Sequence, residues 1–214
     1  MTLVLHSHWR ATAPYRVRIA LNLKGLAFDY AAVDLRAGEQ RGPNYRRVNP
    51  QGLTPALETG DGRVLTQSLA ILEWLEETHP APPLLPAGAH ERAVVRAMAG
   101  IVACDVHPLN NLRVQQQLKA LGVDEDGRGR WTRRWIEDGF AALEPLVAAH
   151  GAGFAFGAWP TLADCLLVPQ VYSAKRYAVD LSPYPAIGAA AARCASHPAF
   201  QAAHPDRQPD AVGK

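Results

Sequence analysis

Four prolines fall within Pro80-Ala81-Pro82-Pro83-Leu84-Leu85-Pro86, and neither a regular helix nor a central strand can run through them, because proline lacks the N–H that both ladders need. The chain must break there, and its two sides differ. Before the break, residues 3–5 read as a short buried strand. Pro14 sits where a first-turn proline belongs and opens a helix from Tyr15 to Lys24, which Gly25 closes at C′. Residues 28–34 alternate as a second strand, and a short helix falls within 40–46. Thr59-Gly60-Asp61-Gly62 is a hairpin signal between two short apolar pairs, and residues 68–77 are helical. This βαβ, hairpin, helix order predicts a thioredoxin-like α/β domain over 1–83. Everything after the prolines reads as helical, so 84–214 is predicted as an all-α domain.

Within that helical half, Pro108 should kink or break the apolar periodicity of residues 90–120. Gly127-Arg128-Gly129-Arg130 reads as a polar connection, with a helix resuming over 131–149. Thr161-Leu162-Ala163-Asp164 has the pattern of a capping box and should nucleate a core helix, giving Asp164 a structural role. Met98, Trp131 and Trp135 read as packing residues, and Arg16, Arg18 and Lys24 as the solvated or interdomain face of the first helix.

The 214 residues suit two small domains. The net charge of +2, with no basic block interleaved with aromatics, gives no reason to expect nucleic acid as a partner. No apolar run approaches the length that spans a bilayer, and the opening Met-Thr-Leu-Val-Leu-His is too short for a signal core, so a cytoplasmic protein without membrane attachment is expected. Cys104, Cys165 and Cys194 are odd in number, widely spaced and set in apolar contexts. They read as three reduced, largely buried thiols rather than a disulfide, a metal site or a nucleophile.

The stretch Asn49-Pro50-Gln51-Gly52-Leu53-Thr54-Pro55-Ala56-Leu57, followed by Gln67-Ser68 at the head of a helix, carries the binding chemistry. Pro55 enters a strand after a Gly-containing turn, and proline is the residue that sustains a cis peptide bond. A cis Thr54-Pro55 bond would turn the Thr54 N–H and C=O toward a ligand. An extended peptide could then pair with that backbone, while Ser68 and the free N–H groups at the helix start receive a carboxylate. Pro55 alone would be an ordinary turn into an edge strand, but its spacing to Gln67-Ser68 favours the ligand. A peptide bearing a carboxylate describes the γ-glutamyl-cysteinyl part of glutathione.

These residues, with Trp9-Arg10, the segment from Tyr15 to Gly25, Cys104-Asp105-Val106-His107-Pro108-Leu109-Asn110-Asn111-Leu112-Arg113-Val114 and residues 161–177, extend over nearly the whole chain. In them the sequence resembles zeta-class glutathione transferases, whose characteristic members are maleylacetoacetate and maleylpyruvate isomerases. The resemblance implies the glutathione transferase architecture, glutathione as the sole cofactor, no metal, and a homodimer. It implies a reaction in which the glutathione thiolate adds to the cis double bond of a maleyl-oxo acid, the bond rotates, and elimination leaves the trans fumaryl isomer. It also implies that His107, Asn111 and Arg113 reach the glycine end of glutathione or the substrate, and that Gln51 contacts the glycyl arm.

One departure stands between Arg10 and Arg16, where the family carries Ser-Ser-Cys or a near relative and this chain reads Ala11-Thr12-Ala13-Pro14-Tyr15. The serine that donates to the glutathione sulfur is Ala11 here. Thr12 is the nearest hydroxyl and the preferred substitute, against a site run by the helix N-terminus and Arg10 alone, with Thr12 as a mere N-cap. Arg10 and Arg176 are the candidate clamps for the substrate carboxylates, since the guanidinium fork binds a carboxylate through two hydrogen bonds. Two alternatives remain open: a general glutathione transferase acting on small electrophiles, and a non-catalytic glutathione-binding protein in which Ala11 and Ala13 have removed the chemistry.

Overall fold

The structure is a computed structural model that describes residues 2–211. The chain packs as two units: residues up to Leu84 together with those from Ala195 onward, and Leu85–Cys194.

In the first unit, β1 (Leu3–Ser7), α1 (Thr12–Leu23) and β2 (Phe28–Ala32) form the expected βαβ crossover, with β1 and β2 parallel from Leu3↔Phe28 to Ser7↔Ala32. A turn of 3-10 helix at Glu39–Arg41 and α2 (Pro43–Val48) lead to the hairpin of β3 (Ala56–Glu58) and β4 (Val64–Thr66), and α3 (Ser68–Thr78) follows. β3 pairs antiparallel with β1, giving the sheet order β2-β1-β3-β4. Leu5, Val17, Leu21, Leu57, Ile71, Leu72 and Leu75 are fully buried between the sheet and the two long helices, as their strand and helix spacings require. Gly25 takes φ +65° at the end of α1, the left-handed conformation expected of a C′ glycine.

Three differences from the sequence reading matter here. α1 begins at Thr12 rather than beyond Pro14, with Ala11 as N-cap. Arg16, Arg18 and Lys24 are buried rather than solvated. Lys24 Nζ meets Glu76 Oε2 at 2.6 Å and donates to the Pro82 carbonyl at 2.8 Å, while Glu76 also accepts the Leu84 N–H, so this pair ties α1, α3 and the proline-rich segment together. The third concerns the chain's end: α10 (Pro198–Ala203) returns to pack on α1, where the sequence suggested one break near residue 84. Short helices of small apolar residues carry no signal of which core they join.

The second unit is helical: α4 (Ala89–Gly100), α5 (His107–Asn110), α6 (Leu112–Ala120), α7 (Glu125–His150), α8 (Leu162–Arg176) and α9 (Pro185–Ala195). Pro108 has the expected effect through two adjustments. Residues Ile101–Val106 widen to a π-helix ahead of it, and the chain leaves the helix at Asn111 (φ −61°, ψ 148°). The π turn changes which residues face inward: Val102 and Val106 are buried, whereas Cys104 is exposed, contrary to the expectation of three buried thiols. Cys165 and Cys194 are buried, and among the described residues none of the three forms a disulfide. A Cβ at Gly139 on α7 would overlap the Val106 side chain, so that glycine lets the π turn seat closely.

Gly127 to Arg130 lie inside α7 rather than in a connection. Asp124 Oδ1 accepts the Gly127 N–H at 2.7 Å, and Glu125 and Asp126 favour the helix N-terminus, which together offset two glycines. The capping box at α8 is present, with Asp164 Oδ2 accepting the Thr161 N–H at 2.8 Å. Among the described residues, no helix is long and apolar enough to cross a membrane.

Candidate active site

The loop from β1 into α1 carries Arg10 and Thr12. The Ala11 N–H closes a turn on the His8 carbonyl at 3.1 Å, and Thr12 follows as the first helical residue, buried. The cap role considered for Thr12 therefore falls to Ala11, whose side chain makes no capping bond. The first turn of α1 presents backbone N–H groups at its open end, except at Pro14, which has none. Arg10 is half-buried, its guanidinium 5.4 Å from the Trp9 ring centroid.

This loop is held from both sides by charged groups. Arg18, fully buried on α1, donates from Nη2 to the Trp9 carbonyl at 2.9 Å, from Nη1 to Ser7 Oγ at 3.0 Å and from Nε to the Ala203 carbonyl at 3.0 Å. Asp210, near the chain's end, accepts the Trp9 N–H on Oδ2 at 3.0 Å and the Tyr30 hydroxyl on Oδ1 at 2.6 Å. Burial pushes the Tyr30 hydroxyl above its ordinary pKa, with the bond to Asp210 adding to it. Burial also holds the His8 imidazole below its ordinary value against the opposing pull of Asp210.

One helical turn beyond Thr12, Arg16 Nη1 donates to Ser68 Oγ at 3.1 Å in a buried bond. Residues i and i+4 share a helix face, so Arg16 links the start of α1 to the start of α3. Because the Ser68 oxygen accepts from Arg16, its own hydrogen is left to donate elsewhere, which suits a carboxylate at the start of α3. Gln67 precedes it at φ 66°, a left-handed backbone that costs a non-glycine residue about 1–3 kcal/mol and is found chiefly where function requires it. Its Nε2 donates to Gln51 Oε1 at 2.8 Å, so two of the residues singled out in the sequence meet directly.

The turn before Pro55 is organised by Asn49. Its Oδ1 accepts the Gln51 N–H at 3.0 Å, and its Nδ2 donates to the Leu53 carbonyl at 2.6 Å, which also accepts the Tyr45 hydroxyl at 2.8 Å. Gly52 has φ +62°, and a Cβ there would lie 2.8 Å from the Gln40 carbonyl. The Thr54-Pro55 bond is cis, as expected, and the β3 ladder begins at Ala56, which leaves Thr54 outside it. Gln40 Oε1 is buried close to this turn and finds no hydrogen-bond partner among the described residues. An extended peptide with a carboxylate fits these donors and acceptors.

In the second unit, His107 opens α5 and Arg113 is exposed in the first turn of α6. Asn111 is that helix's N-cap, its Oδ1 accepting the Arg113 N–H at 3.1 Å. The break at Asn111 thus separates His107 from Arg113, which no single helical face gathers. Arg176 is the exposed last residue of α8, its guanidinium 5.8 Å from the Tyr172 ring and 5.9 Å from that of Tyr177. Asp164, fully buried, is committed to structure: it accepts the Ala155 N–H at 2.7 Å besides Thr161, and burial pushes its pKa up to about 6 against those bonds. Among the described residues, no group of His, Cys, Asp or Glu is placed to hold a metal ion.

Arg16, Arg18, Gln40 and Asp210 were not singled out in the sequence as site residues. For the two arginines a signal existed. Tyr15, Val17, Ile19, Ala20 and Leu21 point around most of the helix at 100° per residue, so α1 had no wide solvent face to give them.

A thioredoxin-like unit with Ser68 at the start of α3, joined to a helical unit, defines the glutathione transferase class. Residues 13–78 match the family model of the glutathione S-transferase N-terminal domain. A maleylpyruvate isomerase from a Ralstonia species is 50% identical over 211 residues, covering 97% of this chain and 99% of its own. A holo structure of maleyl pyruvate isomerase, a bacterial zeta-class glutathione S-transferase, superposes with TM-score 0.95 at 50% identity, over 98% of this chain and 100% of that one. A maleylacetoacetate isomerase from Anaeromyxobacter dehalogenans 2CP-1, with glutathione bound in its active site, gives 0.90 at 48% identity over 98% of each chain. The chain belongs to the zeta-class glutathione transferases, the family of the maleylacetoacetate and maleylpyruvate isomerases.

Proposed function

We infer that this protein is a glutathione-dependent cis–trans isomerase of a maleyl-oxo acid, acting on maleylacetoacetate or maleylpyruvate. The observation that carries this is similarity at 50% identity, over the full length, to an enzyme of that activity. The Arg16–Ser68 bond at the start of α3 agrees with it, because it presents a hydroxyl donor where the γ-glutamyl carboxylate of glutathione would sit. Bound glutathione supplies the thiolate that adds to the cis double bond and leaves after rotation.

The chain's own residues bind and activate. Ser68 and Gln67 would hold the γ-glutamyl carboxylate, the Thr54 backbone the cysteinyl unit, and Gln51 the glycyl arm. Thr12 would donate to the sulfur, where the positive end of α1 and Arg10 also favour the thiolate. Arg10 and Arg176 would bind the substrate carboxylates and the charge that develops on the oxo group. Roles for His107, Asn111 and Arg113 toward the glycine end or the substrate rest on family membership. We also propose a homodimer, to be checked by sedimentation, and a cytoplasmic location, which suits three cysteines that form no disulfide among the described residues.

The test is turnover of both maleyl substrates with and without glutathione. Glutathione-dependent formation of the fumaryl isomer from one of them is expected. Absence of turnover of either would refute the assignment and favour a glutathione-binding protein.

A further inference from the structure

We propose that Asp210 is a positioning residue for the sulfur site: its carboxylate fixes the backbone of the loop that carries Arg10, Ala11 and Thr12. This rests on the proposed function. Among the described residues the β1–β2 ladder ends at Ser7↔Ala32, which leaves Trp9 outside it. Charged side chains take over instead. Asp210 Oδ2 accepts the Trp9 N–H at 3.0 Å, and Arg18 Nη2 donates to the Trp9 carbonyl at 2.9 Å, so both backbone groups of one residue are fixed by charge-assisted bonds of opposite sign.

Neither charge is free to drift. Arg18 is fully buried and also anchored to Ser7 and Ala203, and the Asp210 side chain is only 18% exposed. The other Asp210 oxygen is held at 2.6 Å by the Tyr30 hydroxyl, and Tyr30 stands on β2 opposite Leu5 in the parallel ladder. His8 Nδ1 lies 3.7 Å from the same carboxylate. A rigid path therefore runs from the sheet through Tyr30 and Asp210 to the Trp9 N–H. Two residues later the Ala11 N–H closes on the His8 carbonyl and α1 begins. Releasing Trp9 would let that turn shift, and with it the groups that face the sulfur.

Thiolate absorbance of bound glutathione against pH tests this in the full-length protein. The unaltered protein comes first: if it binds no glutathione thiolate, the proposed function fails rather than this inference. Removing a nearby negative charge would by itself lower the thiol pKa, since a like charge opposes ionisation. Positioning predicts the opposite sign. Asp210→Ala should raise the thiol pKa by roughly one unit, a tenfold loss of the thiolate-to-thiol ratio below that pKa, with a matching fall in kcat near neutral pH.

Asp210→Asn keeps an oxygen for the Trp9 N–H and should rescue more than half of that shift. Tyr30→Phe keeps the carboxylate and removes its hydroxyl anchor, together with that hydroxyl's bond with Ser7, and should produce a smaller rise, which keeps the test available if Asp210→Ala does not fold. An unchanged pH profile in Asp210→Ala, or a downward shift in both Asp210 variants, overturns the proposal. So does an unchanged profile in Tyr30→Phe.

Discussion

Replacing Thr12 by Val asks whether the thiol of glutathione is activated by a side chain or by the helix alone. Val keeps the β-branched shape of a buried residue at the first position of α1, so packing and backbone are preserved while one hydroxyl is lost. The cap of α1 is untouched, because the N-cap is Ala11. A hydrogen bond to a charged acceptor contributes about 1.5–3 kcal/mol, and one pKa unit corresponds to about 1.4 kcal/mol. The thiol pKa should therefore rise by at least roughly one unit. The sign follows from the donor favouring the charged form: without it the thiol holds its proton to higher pH, and the thiolate present near neutrality falls. Ultraviolet absorbance of the bound thiolate, titrated with pH, measures the shift, and isomerisation near pH 7 should slow about tenfold for each unit. If neither moves, the helix N-terminus and Arg10 carry activation, and the assignment of Thr12 is wrong.

Ala11→Ser should shift the thiol pKa the other way and also stabilise the protein by about 1 kcal/mol, because a serine there can cap α1 with its oxygen while donating its hydrogen to the sulfur. A lower or unchanged Tm would count against that dual role. Ser68→Ala with Gln67→Ala should weaken glutathione binding at least tenfold or so by calorimetry, as loss of donors to a carboxylate implies; unchanged affinity would place the carboxylate elsewhere. Arg10→Met or Arg176→Met should impair turnover of a maleyl dicarboxylate far more than that of an uncharged electrophile, and equal losses would favour a general transferase. Asp164→Ala should cost about 4 kcal/mol in urea unfolding, since it strands the buried N–H groups of Ala155 and Thr161. The Asp164 pKa in the fold, about 6, lies above its ordinary 3.8, so the stability linked to its proton is complete below 3.8 and is lost as pH rises through 6. Urea titrations should show that loss, about 3 kcal/mol, in the parent and not in Asp164→Asn.

What was legible in the sequence was what local chemistry dictates. The hairpin glycines, Gly25, the Thr161 capping box and the effect of Pro108 each depend on residues within a few positions of one another, and the structure has all of them. Tertiary partners were not legible: the sequence marks Gln51 and Gln67 each as a glutathione contact, not as partners of one another. Arg16 finds Ser68 across the unit, and Asp210 reaches Trp9 and Tyr30 from the far end of the chain. The π turn before Pro108 exposes Cys104 by changing the helical period, which a regular 3.6-residue count cannot anticipate. Asp124 and two acidic neighbours outweigh Gly127 and Gly129 because a helix terminus is decided by its cap as much as by interior propensity.

The buried charges of α1 show how the fold and the site constrain each other. Arg16 ends on Ser68, at the proposed carboxylate end of the site, Arg18 on the loop carbonyls, at the proposed sulfur end, and on Ala203, and Lys24 on Glu76 and the proline-rich segment. A buried charge is tolerated only when its partners are in place, and removing one partner leaves the other stranded at a cost of about 3–5 kcal/mol. Each of these side chains thus resists displacement of the element it touches. An apolar residue at the same positions would pack as well but would not fix where Ser68 or the Trp9 carbonyl points, because dispersion has little directional preference and a guanidinium fork has a strong one. The helix that opens at the proposed sulfur site is therefore also the element that fixes both Ser68 and the Trp9 carbonyl, at the two ends of the proposed glutathione site.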